Sequence, residues 1–116
     1  IKQIEEKKLA DRIFLPTQSG LEFVATNEVI RCESDSNYTT VFLTNESKII
    51  VSKTLKEVEG MLVSGSFFRV HNSHLVNMRL VKKYVKGDGG HLLMNDDSVI
   101  PVSRSRKQDL MLLLQR

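Results

Sequence analysis

The sequence lacks features on which several classes of protein depend. It has one cysteine, Cys32, which excludes an internal disulfide and any cysteine-based zinc site. Its longest apolar run, Leu110–Leu114, is far shorter than the roughly 20 residues of a membrane-spanning helix. There is no Walker loop, because neither a lysine nor a helix pattern follows Gly87–Gly90. We therefore expect no membrane span, no metal or other cofactor, and no nucleotide site.

Side chains that could support catalysis are few and adjacent in the sequence. Ser73 lies between His71 and His74, which places a nucleophile beside two candidate bases. Catalytic triads need side chains that converge from separate elements, and sequence neighbours rarely form one. Glu33 and Asp35 form a carboxylate pair, but no second pair or histidine cluster at ligand spacing accompanies them. The sequence therefore predicts a protein that is not an enzyme.

Basic residues are concentrated in the second half of the 116-residue chain, whose net charge is +3. Residues 1–66 contain eight Lys or Arg and ten Asp or Glu, whereas residues 67–116 contain nine and four. This asymmetry is typical of a protein with one side that binds a polyanion. The length fits one domain, which we assign to residues 12–116. We interpret the polar residues 1–11 as a linker remnant from a preceding domain.

The first half shows the short, evenly spaced patterns of antiparallel strands. In Glu28–Ser34 apolar and polar residues alternate, which predicts that Ile30 and Cys32 share one face. We expect Cys32 to be a small, buried, apolar side chain. The other strands predicted here are Arg12–Pro16, Leu21–Ala25, Tyr38–Thr44 and Ser47–Val51.

Two helices are predicted among the strands. Thr54 and Glu57 match a capping box at the start of a helix over Lys53–Val63. Ser103 is placed to cap a final helix over Arg104–Gln115. The strands predicted in this half are Phe67–Val70, Arg79–Lys86, His91–Met94 and Ser98–Val102, whereas residues 71–76 show no clear period.

Polar side chains are concentrated in residues 69–77, between two apolar pairs. The pairs, Phe67-Phe68 and Leu75-Val76, would attach the segment to the core and hold its polar residues at the surface. Asn72 could bond N6 and N7 of adenine, and Ser73 could bond a phosphate. The competing interpretation is that both residues only satisfy backbone groups in a turn.

A second polar and basic segment, Pro101–Lys107, begins where a predicted strand gives way to the final helix. Arg104 in the first turn could donate two hydrogen bonds to guanine, and Arg106 and Lys107 could contact phosphates. Cations oppose the dipole at a helix N-terminus, so their presence is better explained if an anion binds there. A solvated basic turn is the competing interpretation.

A third segment, Glu33–Thr40, could present Asn37 and Thr39 to a groove, although an ordinary hairpin turn has the same composition. Lys82 and Lys83 are candidate phosphate contacts or the solvated face of a strand. The two tyrosines and five phenylalanines are too few and too scattered for a platform that stacks single-stranded bases. A protein–protein or RNA-binding regulatory module that uses the same basic face stays open as the alternative to DNA binding.

Taken together, these segments resemble the LytTR family of bacterial DNA-binding domains over roughly Arg12–Arg116. The combination of the central segment, Phe67–Asn77, with the closing segment, Ile100–Arg104, is specific to this family. The residues on which the resemblance rests are Ile30-Arg31-Cys32-Glu33-Ser34, Asn37-Tyr38-Thr39, Leu55-Lys56-Glu57 with Leu62, Phe67–Asn77, and Ile100-Pro101-Val102-Ser103-Arg104.

The resemblance implies an elongated, mainly β fold of about ten short strands in several antiparallel sheets, with one or two short helices. It implies loops that enter successive major grooves of duplex DNA, contact phosphates between them and bend the DNA. Members are usually the output half of a cytoplasmic two-component response regulator, so it also implies an N-terminal receiver domain. Binding to repeated DNA sites is another family feature, and it is compatible with a homodimer.

The resemblance also assigns roles to residues. Asn72 and Arg104 match base-contacting positions, and Thr39, with Asn37 beside it, matches the base contact of the first loop. The residues that we expect to contact phosphate or to order the loops are Arg69, His71, Ser73, Asn77, Lys82, Lys83, Ser103, Arg106 and Lys107.

Overall fold

The structure, a computed structural model, describes residues 12–62 and 66–115. Ten strands in these residues form three antiparallel sheets and two helices accompany them, which confirms the predicted mainly β fold. The molecule is elongated, with extents of 46 × 34 × 23 Å. The strands are β1 (Arg12–Thr17), β2 (Gly20–Ala25), β3 (Val29–Asp35), β4 (Tyr38–Leu43), β5 (Lys48–Val51), β6 (Phe67–His71), β7 (His74–Asn77), β8 (Val81–Val85), β9 (His91–Met94) and β10 (Val99–Pro101). The helices are α1 (Leu55–Met61) and α2 (Arg104–Leu114).

The order of strands determines which turns are neighbours. The central sheet has the order β5-β4-β3-β7-β6, so the β3–β4 and β6–β7 hairpins lie side by side. Glu33 of β3 pairs with His74 of β7 at the junction between them. Strands β1 and β2 form a separate hairpin, and β8, β9 and β10 form a three-stranded sheet. The turns of the two central hairpins therefore lie at the same edge of the molecule.

The central sheet contributes to two apolar clusters. Cys32 of β3 packs in the first cluster, with α1 and the β1–β2 hairpin. Ile30 of the same strand packs in the second, with β9, β10 and α2. The prediction that these two residues share one face was wrong. The register shifts between Val29 and Arg31, and a β-bulge of this kind interrupts the alternation of faces along the strand.

The prediction for the single cysteine is confirmed. Cys32 is a free thiol and is fully buried. Burial raises the pKa of Cys32 to about 12, against a weaker opposing effect of the Arg31 charge. The thiol therefore stays protonated and behaves as a small apolar side chain.

The capping box predicted at the start of α1 is also confirmed. The Thr54 hydroxyl accepts a hydrogen bond from the Glu57 N–H at 3.3 Å, and the Glu57 carboxylate accepts one from the Thr54 N–H at 3.1 Å. Hydrogen bonds from the backbone and then the side chain of Thr54 lower the pKa of Glu57. Helix α1 begins two residues later than the predicted Lys53–Val63 helix, and Val63 lies outside the described residues.

Strand β7 is the element that the sequence patterns did not predict. Its end residues, His74 and Asn77, are polar, so the segment shows no period of two. The predicted strand over Arg79–Lys86 begins late, because Met78–Leu80 forms a 3₁₀ turn before β8. Pairing with β3 and β6 therefore decides this part of the fold more than local pattern does.

The final helix is confirmed, although its capping differs from the prediction. Ser103 occupies the N-cap position with an extended backbone, but its side chain makes no capping hydrogen bond. Its hydroxyl lies 3.3 Å from the hydroxyl of Ser105. Leu110 is fully buried and attaches α2 to the second cluster. Neither helix in the described part of the chain has the length and apolar character of a membrane span.

Candidate nucleic-acid interface

Three of the predicted polar segments meet at one end of the central sheet. The Ser34 N–H donates to the Ser73 carbonyl at 3.0 Å, which joins the β3–β4 turn to the β6–β7 turn. The Ser103 N–H donates to the Val70 carbonyl at 3.0 Å, which joins the start of α2 to β6. We call this region the loop end, and it comprises Ser36–Asn37, Asn72–Ser73 and Ser103–Lys107.

Of the two base-contacting residues predicted for the first loop, one is exposed in the β3–β4 turn and the other is buried in β4. Asn37 lies in the turn, is exposed, and makes no side-chain hydrogen bond to the described residues. Thr39 is fully buried, and its hydroxyl donates to the Lys53 carbonyl at 2.8 Å. The buried hydroxyl therefore gives no support to a base contact by Thr39, which links β4 to the segment before α1.

The hydrogen bonds that close the β6–β7 turn do not involve the exposed side chain of Asn72. The His71 ring accepts a hydrogen bond at Nδ1 from the Ser73 N–H at 3.0 Å. Arg69 donates from Nε to the His71 carbonyl at 3.0 Å and from Nη2 to the Asn72 carbonyl at 2.5 Å. Asn72 is exposed, and its amide makes no hydrogen bond within the described ranges. Arg69 and His71 thus order the turn, and the Asn72 side chain is left available.

His74, just after this turn, is largely buried. Burial lowers the pKa of His74, and the positive charges of His71 and Arg31 lower it further. The carboxylate of Glu33, which lies 3.9 Å from Nδ1, has the opposite and weaker effect. The ring is therefore neutral at pH 7 and brings no positive charge to the loop end. The Ser73 hydroxyl bonds neither histidine in the part of the chain described, so the geometry gives no support to a nucleophile–base pair. Within residues 12–62 and 66–115, no three His, Cys, Asp or Glu side chains are grouped as metal ligands.

The start of α2 presents basic side chains to solvent. Arg104 and Lys107 are exposed, and neither has an ion-pair partner among the residues described. Arg106 lies 4.0 Å from the carboxylate of Asp109, an exposed pair that contributes little to stability. Exposed cations beside the free N–H groups of a helix start favour the binding of an anion.

Two of the residues expected to contact phosphate or order loops, Lys82 and Asn77, lie away from the loop end. Lys82 donates to the Asp97 carboxylate at 3.0 Å, beside the β9–β10 turn at the opposite end of the sheets. Lys83 is exposed on β8. Asn77 is buried, and its amide donates to the Val29 carbonyl at 3.0 Å. Asn77 therefore orders the chain after β7, and the ion pair with Asp97 holds Lys82 away from the loop end.

The opposite end of the molecule is acidic. The β4–β5 turn lies there, and the Thr44 N–H donates to the Glu28 carbonyl at 2.9 Å. Asp96 of the β9–β10 turn and Glu46 of the β4–β5 turn line one cavity of about 220 Å³, so the two turns are neighbours. We call this region the acidic end, and its carboxylates are Glu28, Glu46, Asp96 and Asp97.

Glu59 of α1 contacts the β6–β7 turn through Arg69, a role that the sequence patterns did not indicate. Its carboxylate accepts a hydrogen bond from Nη1 of Arg69 at 2.9 Å. The two residues lie in different elements, ten positions apart, and no motif relates them. Only the packing of α1 against the sheet brings them together.

The β1–β2 turn also reaches the loop end without a sequence signal. The Ser52 N–H donates to the Pro16 carbonyl at 2.9 Å, which joins the end of β1 to the end of β5. A cavity of about 510 Å³ lies here. Its lining residues are Thr17, Gln18, Ser19, Tyr38, Ile50 and Ser52.

Comparison with known families assigns the fold and the general function. Residues 19–115 match the family model of the LytTr DNA-binding domain. The chain belongs to this family. LytTr domains are DNA-binding domains of transcriptional regulators, so DNA binding in transcription regulation is the general function of the chain. The family is thus defined by binding and not by catalysis.

Two curated relatives and one solved structure illustrate the similarity. The heme-containing CO-sensing transcriptional regulator RcoM 1 of Paraburkholderia xenovorans is 34% identical over 90 residues, which cover 75% of this chain and 33% of that protein. The sensory transduction protein LytT of Bacillus subtilis is 30% identical over 105 residues, 89% of this chain and 43% of that protein. The chain thus spans a third to less than half of these relatives.

The solved structure is a LytTr DNA-binding domain of a methyl-accepting/DNA response regulator from Bacillus cereus. It superposes with a TM-score of 0.76 at 27% identity and covers 90% of this chain and 96% of that one. This similarity confirms the predicted LytTR-like architecture.

Proposed function

We propose that the chain binds duplex DNA sequence-specifically through the loop end, with Asn37, Asn72 and Arg104 in contact with base edges. All three side chains are exposed and have no hydrogen-bond partner among the described residues. Arginine can donate two hydrogen bonds to guanine, and asparagine can bond adenine through both ends of its amide. The observation that supports the proposal most is the meeting of these three side chains at one end of the sheet.

The phosphate contacts in this proposal come from residues that flank the base-contacting ones. Ser73 and Ser103 supply hydroxyl groups, and Arg106 and Lys107 supply charge. Lys83 remains a further candidate, because it is exposed and has no ion-pair partner in residues 12–62 and 66–115. Arg69, His71 and Asn77 have the loop-ordering role, because their side chains bond the protein backbone.

The arrangement of the loops suggests how they would meet the grooves. The β3–β4 turn, the β6–β7 turn and the start of α2 follow one another across the sheet. Asn37 and Arg104 lie at the two ends of this row, and Asn72 lies between them. In our proposal the two outer elements enter successive major grooves, and the DNA bends toward the middle turn.

We further infer that the domain is the output part of a response regulator. In this proposal residues 12–116 form the DNA-binding domain and residues 1–11 are a linker from a receiver domain. The name of the Bacillus subtilis relative, a sensory transduction protein more than twice as long as its matched part, supports this role. The regulator would act in the cytoplasm, and two copies would bind repeated DNA sites as a homodimer.

Selection of duplexes from a random pool is the experiment that tests the function. We expect repeated rounds of binding and amplification to recover one sequence motif. We also expect the selected duplex to bind more tightly than a random duplex by at least about a thousandfold, as specific DNA-binding proteins do. Recovery of unrelated sequences with equal affinities would contradict sequence-specific binding.

The same assay separates DNA binding from binding to single strands or RNA. The selected motif is presented as duplex DNA, as each single strand, and as duplex RNA of the same sequence. We expect tight binding to duplex DNA alone, because the major groove of an RNA duplex is too deep and narrow for side chains. Equal binding of the RNA would favour the RNA-binding alternative.

A further inference from the structure

Arg69 uses all three nitrogens of its guanidinium group inside the protein. It lies on β6, three residues before Asn72. Two nitrogens donate to consecutive backbone carbonyls of the turn, those of His71 and Asn72, at 3.0 and 2.5 Å. The third donates to the Glu59 carboxylate at 2.9 Å. Charge-assisted hydrogen bonds of this kind are stronger than neutral ones, and the side chain is only 19% exposed.

Glu59 fixes the guanidinium group from outside the turn. It lies on α1, which is attached to the first core cluster by the buried side chains of Leu55 and Val58. Arg69 pairs with Leu75, a member of the same cluster, across β6 and β7. The orientation of the guanidinium group is therefore determined by the packing of α1 on the sheet as well as by the turn.

We propose that Arg69 and Glu59 are positioning residues that hold the β6–β7 turn in the conformation in which Asn72 contacts a base. This inference rests on the proposed function and extends base recognition to a residue of α1, outside the loops. A contacting side chain has to be held within about 0.5 Å of its productive position. Arg69 binds the backbone carbonyl of Asn72 itself, so its loss would release the contacting residue directly.

A phosphate contact is the competing role for Arg69, and the geometry opposes it. The guanidinium group points into the turn, and the Glu59 carboxylate neutralises its charge. The two roles have different consequences for binding. A phosphate contact contributes to affinity for every duplex and to the salt dependence, whereas a positioning role contributes only where a base is recognised.

Arg69→Gln is the variant that separates the two roles. It is titrated with the selected duplex and with a random duplex of equal length, at several salt concentrations. We expect binding to the selected duplex to weaken roughly tenfold, the effect of losing hydrogen bonds to a charged group. We expect affinity for the random duplex and the salt slope to stay at wild-type values. Equal weakening on both duplexes, with a salt slope smaller by about 0.9, would overturn the proposal.

Two further substitutions distinguish geometry from charge. Arg69→Lys keeps the charge, but an ammonium group cannot reproduce the planar fork that bonds two carbonyls and a carboxylate at once. We therefore expect it to lose selectivity almost as Arg69→Gln does, and full recovery by Lys would contradict the proposal. Glu59→Gln should lose selectivity in the same direction by a smaller factor. Lys56→Gln, at an exposed position of α1, is the matched control and should change nothing.

Hydrogen exchange in the free protein tests the positioning role without DNA. The amide of Ser73 is bonded to His71 and should exchange slowly in the wild type. We expect faster exchange across His71–Ser73 in Arg69→Gln and in Glu59→Gln, with exchange in β9 unchanged. Should Arg69→Gln fail to fold, Glu59→Gln supplies the same comparison. Unchanged exchange in the turn would overturn the inference and leave the proposed function standing, whereas failure of the selection experiment would overturn the proposed function on which the inference rests.

Discussion

The two ends of the central sheet close their turns in different ways. At the acidic end, one side chain in each hairpin turn bonds its own turn: Asn45 in the β4–β5 turn and Asp96 in the β9–β10 turn. The Asn45 side chain accepts from the Ser47 N–H at 3.0 Å, and the Asp96 side chain accepts from the Ser98 N–H at 3.0 Å. These carboxylate and amide oxygens satisfy backbone groups, which is the common use of Asn and Asp in turns.

At the loop end the corresponding side chains are free. The β6–β7 turn is closed by Arg69 and by the His71 ring, and the Asn72 amide takes no part. Asn37 and Arg104 are likewise exposed without partners in the described residues. In the β6–β7 turn, the Asn72 amide is available for binding because Arg69 and His71 make the hydrogen bonds that close the turn.

The ends also differ in charge. The acidic end brings together carboxylates from three turns, whereas the start of α2 at the loop end presents Arg104, Arg106 and Lys107. The exposed cations at the start of α2 attract a polyanion, whereas the carboxylates of the opposite turns, one of which pairs with Lys82, do not. Substitutions at the two ends should therefore affect DNA binding differently.

The largest effect on binding is expected at Arg104. Arg104→Ala should cost about 1–3 kcal/mol on the selected duplex and relax the preference at one base pair. Affinity for a random duplex should change little, because base recognition does not contribute there. Lys82→Ala at the acidic end is the matched control. Fluorescence titration of both duplexes measures the effect, and equal weakening of the two by Arg104→Ala would remove Arg104 from the base-contacting residues.

A substitution at Thr39 should affect stability rather than recognition. Thr39→Val removes the hydroxyl that donates to the Lys53 carbonyl and leaves the side-chain shape nearly unchanged. We expect the free energy of unfolding to fall by about 1 kcal/mol, measured by urea titration. DNA affinity should stay unchanged at temperatures where the variant is folded. A loss of selectivity without a loss of stability would restore Thr39 as a base contact.

Lys107 and Lys82 provide a comparison of cations at the two ends. Lys107→Gln should weaken binding to selected and random duplexes alike and reduce the salt slope by about 0.9, as expected for one phosphate contact. Lys82→Gln should leave both quantities unchanged, because its ammonium group pairs with Asp97 away from the loop end. A fall in the slope for Lys82→Gln would show that the interface extends beyond the loop end.

The smallest effect on stability is expected at Asp96, a turn residue of the acidic end that has Asn72 as its counterpart at the loop end. Asp96→Ala should lower the free energy of unfolding by about 0.5 kcal/mol, because it removes partly exposed hydrogen bonds to Ser98. It should not change DNA affinity. Asn72→Ala should behave in the opposite way, with lower affinity for the selected duplex and unchanged stability. If both variants lost stability and neither lost affinity, the contrast between the ends would be wrong.

Much of the fold could be predicted from local patterns. The strands β1 to β5, the capping box of Thr54 and Glu57, and the β9–β10 hairpin follow from period and turn chemistry, which act between near neighbours. The bulge in β3 and the whole of β7 depend on pairing with distant strands. No local pattern of Ile30 or His74 reveals such pairing, so these features could not be predicted.

The candidate site was predictable in part. Asn72 and Arg104 are exposed at the loop end, as their segments suggested. Thr39 is buried because the register of β4 turns its side chain toward the first core cluster, and register is not visible in one strand alone. Glu59 was missed because its partner, Arg69, lies in another element.

Mapping the DNA contact on the protein tests the central claim most directly. The isotopically labelled domain is titrated with the selected duplex, and the chemical shift of each backbone amide is followed by NMR. We predict large changes at Asn37, Asn72 and Arg104, and none at Asn45 and Asp97 of the opposite turns. Equal changes at both ends, or changes confined to the acidic end, would contradict the account.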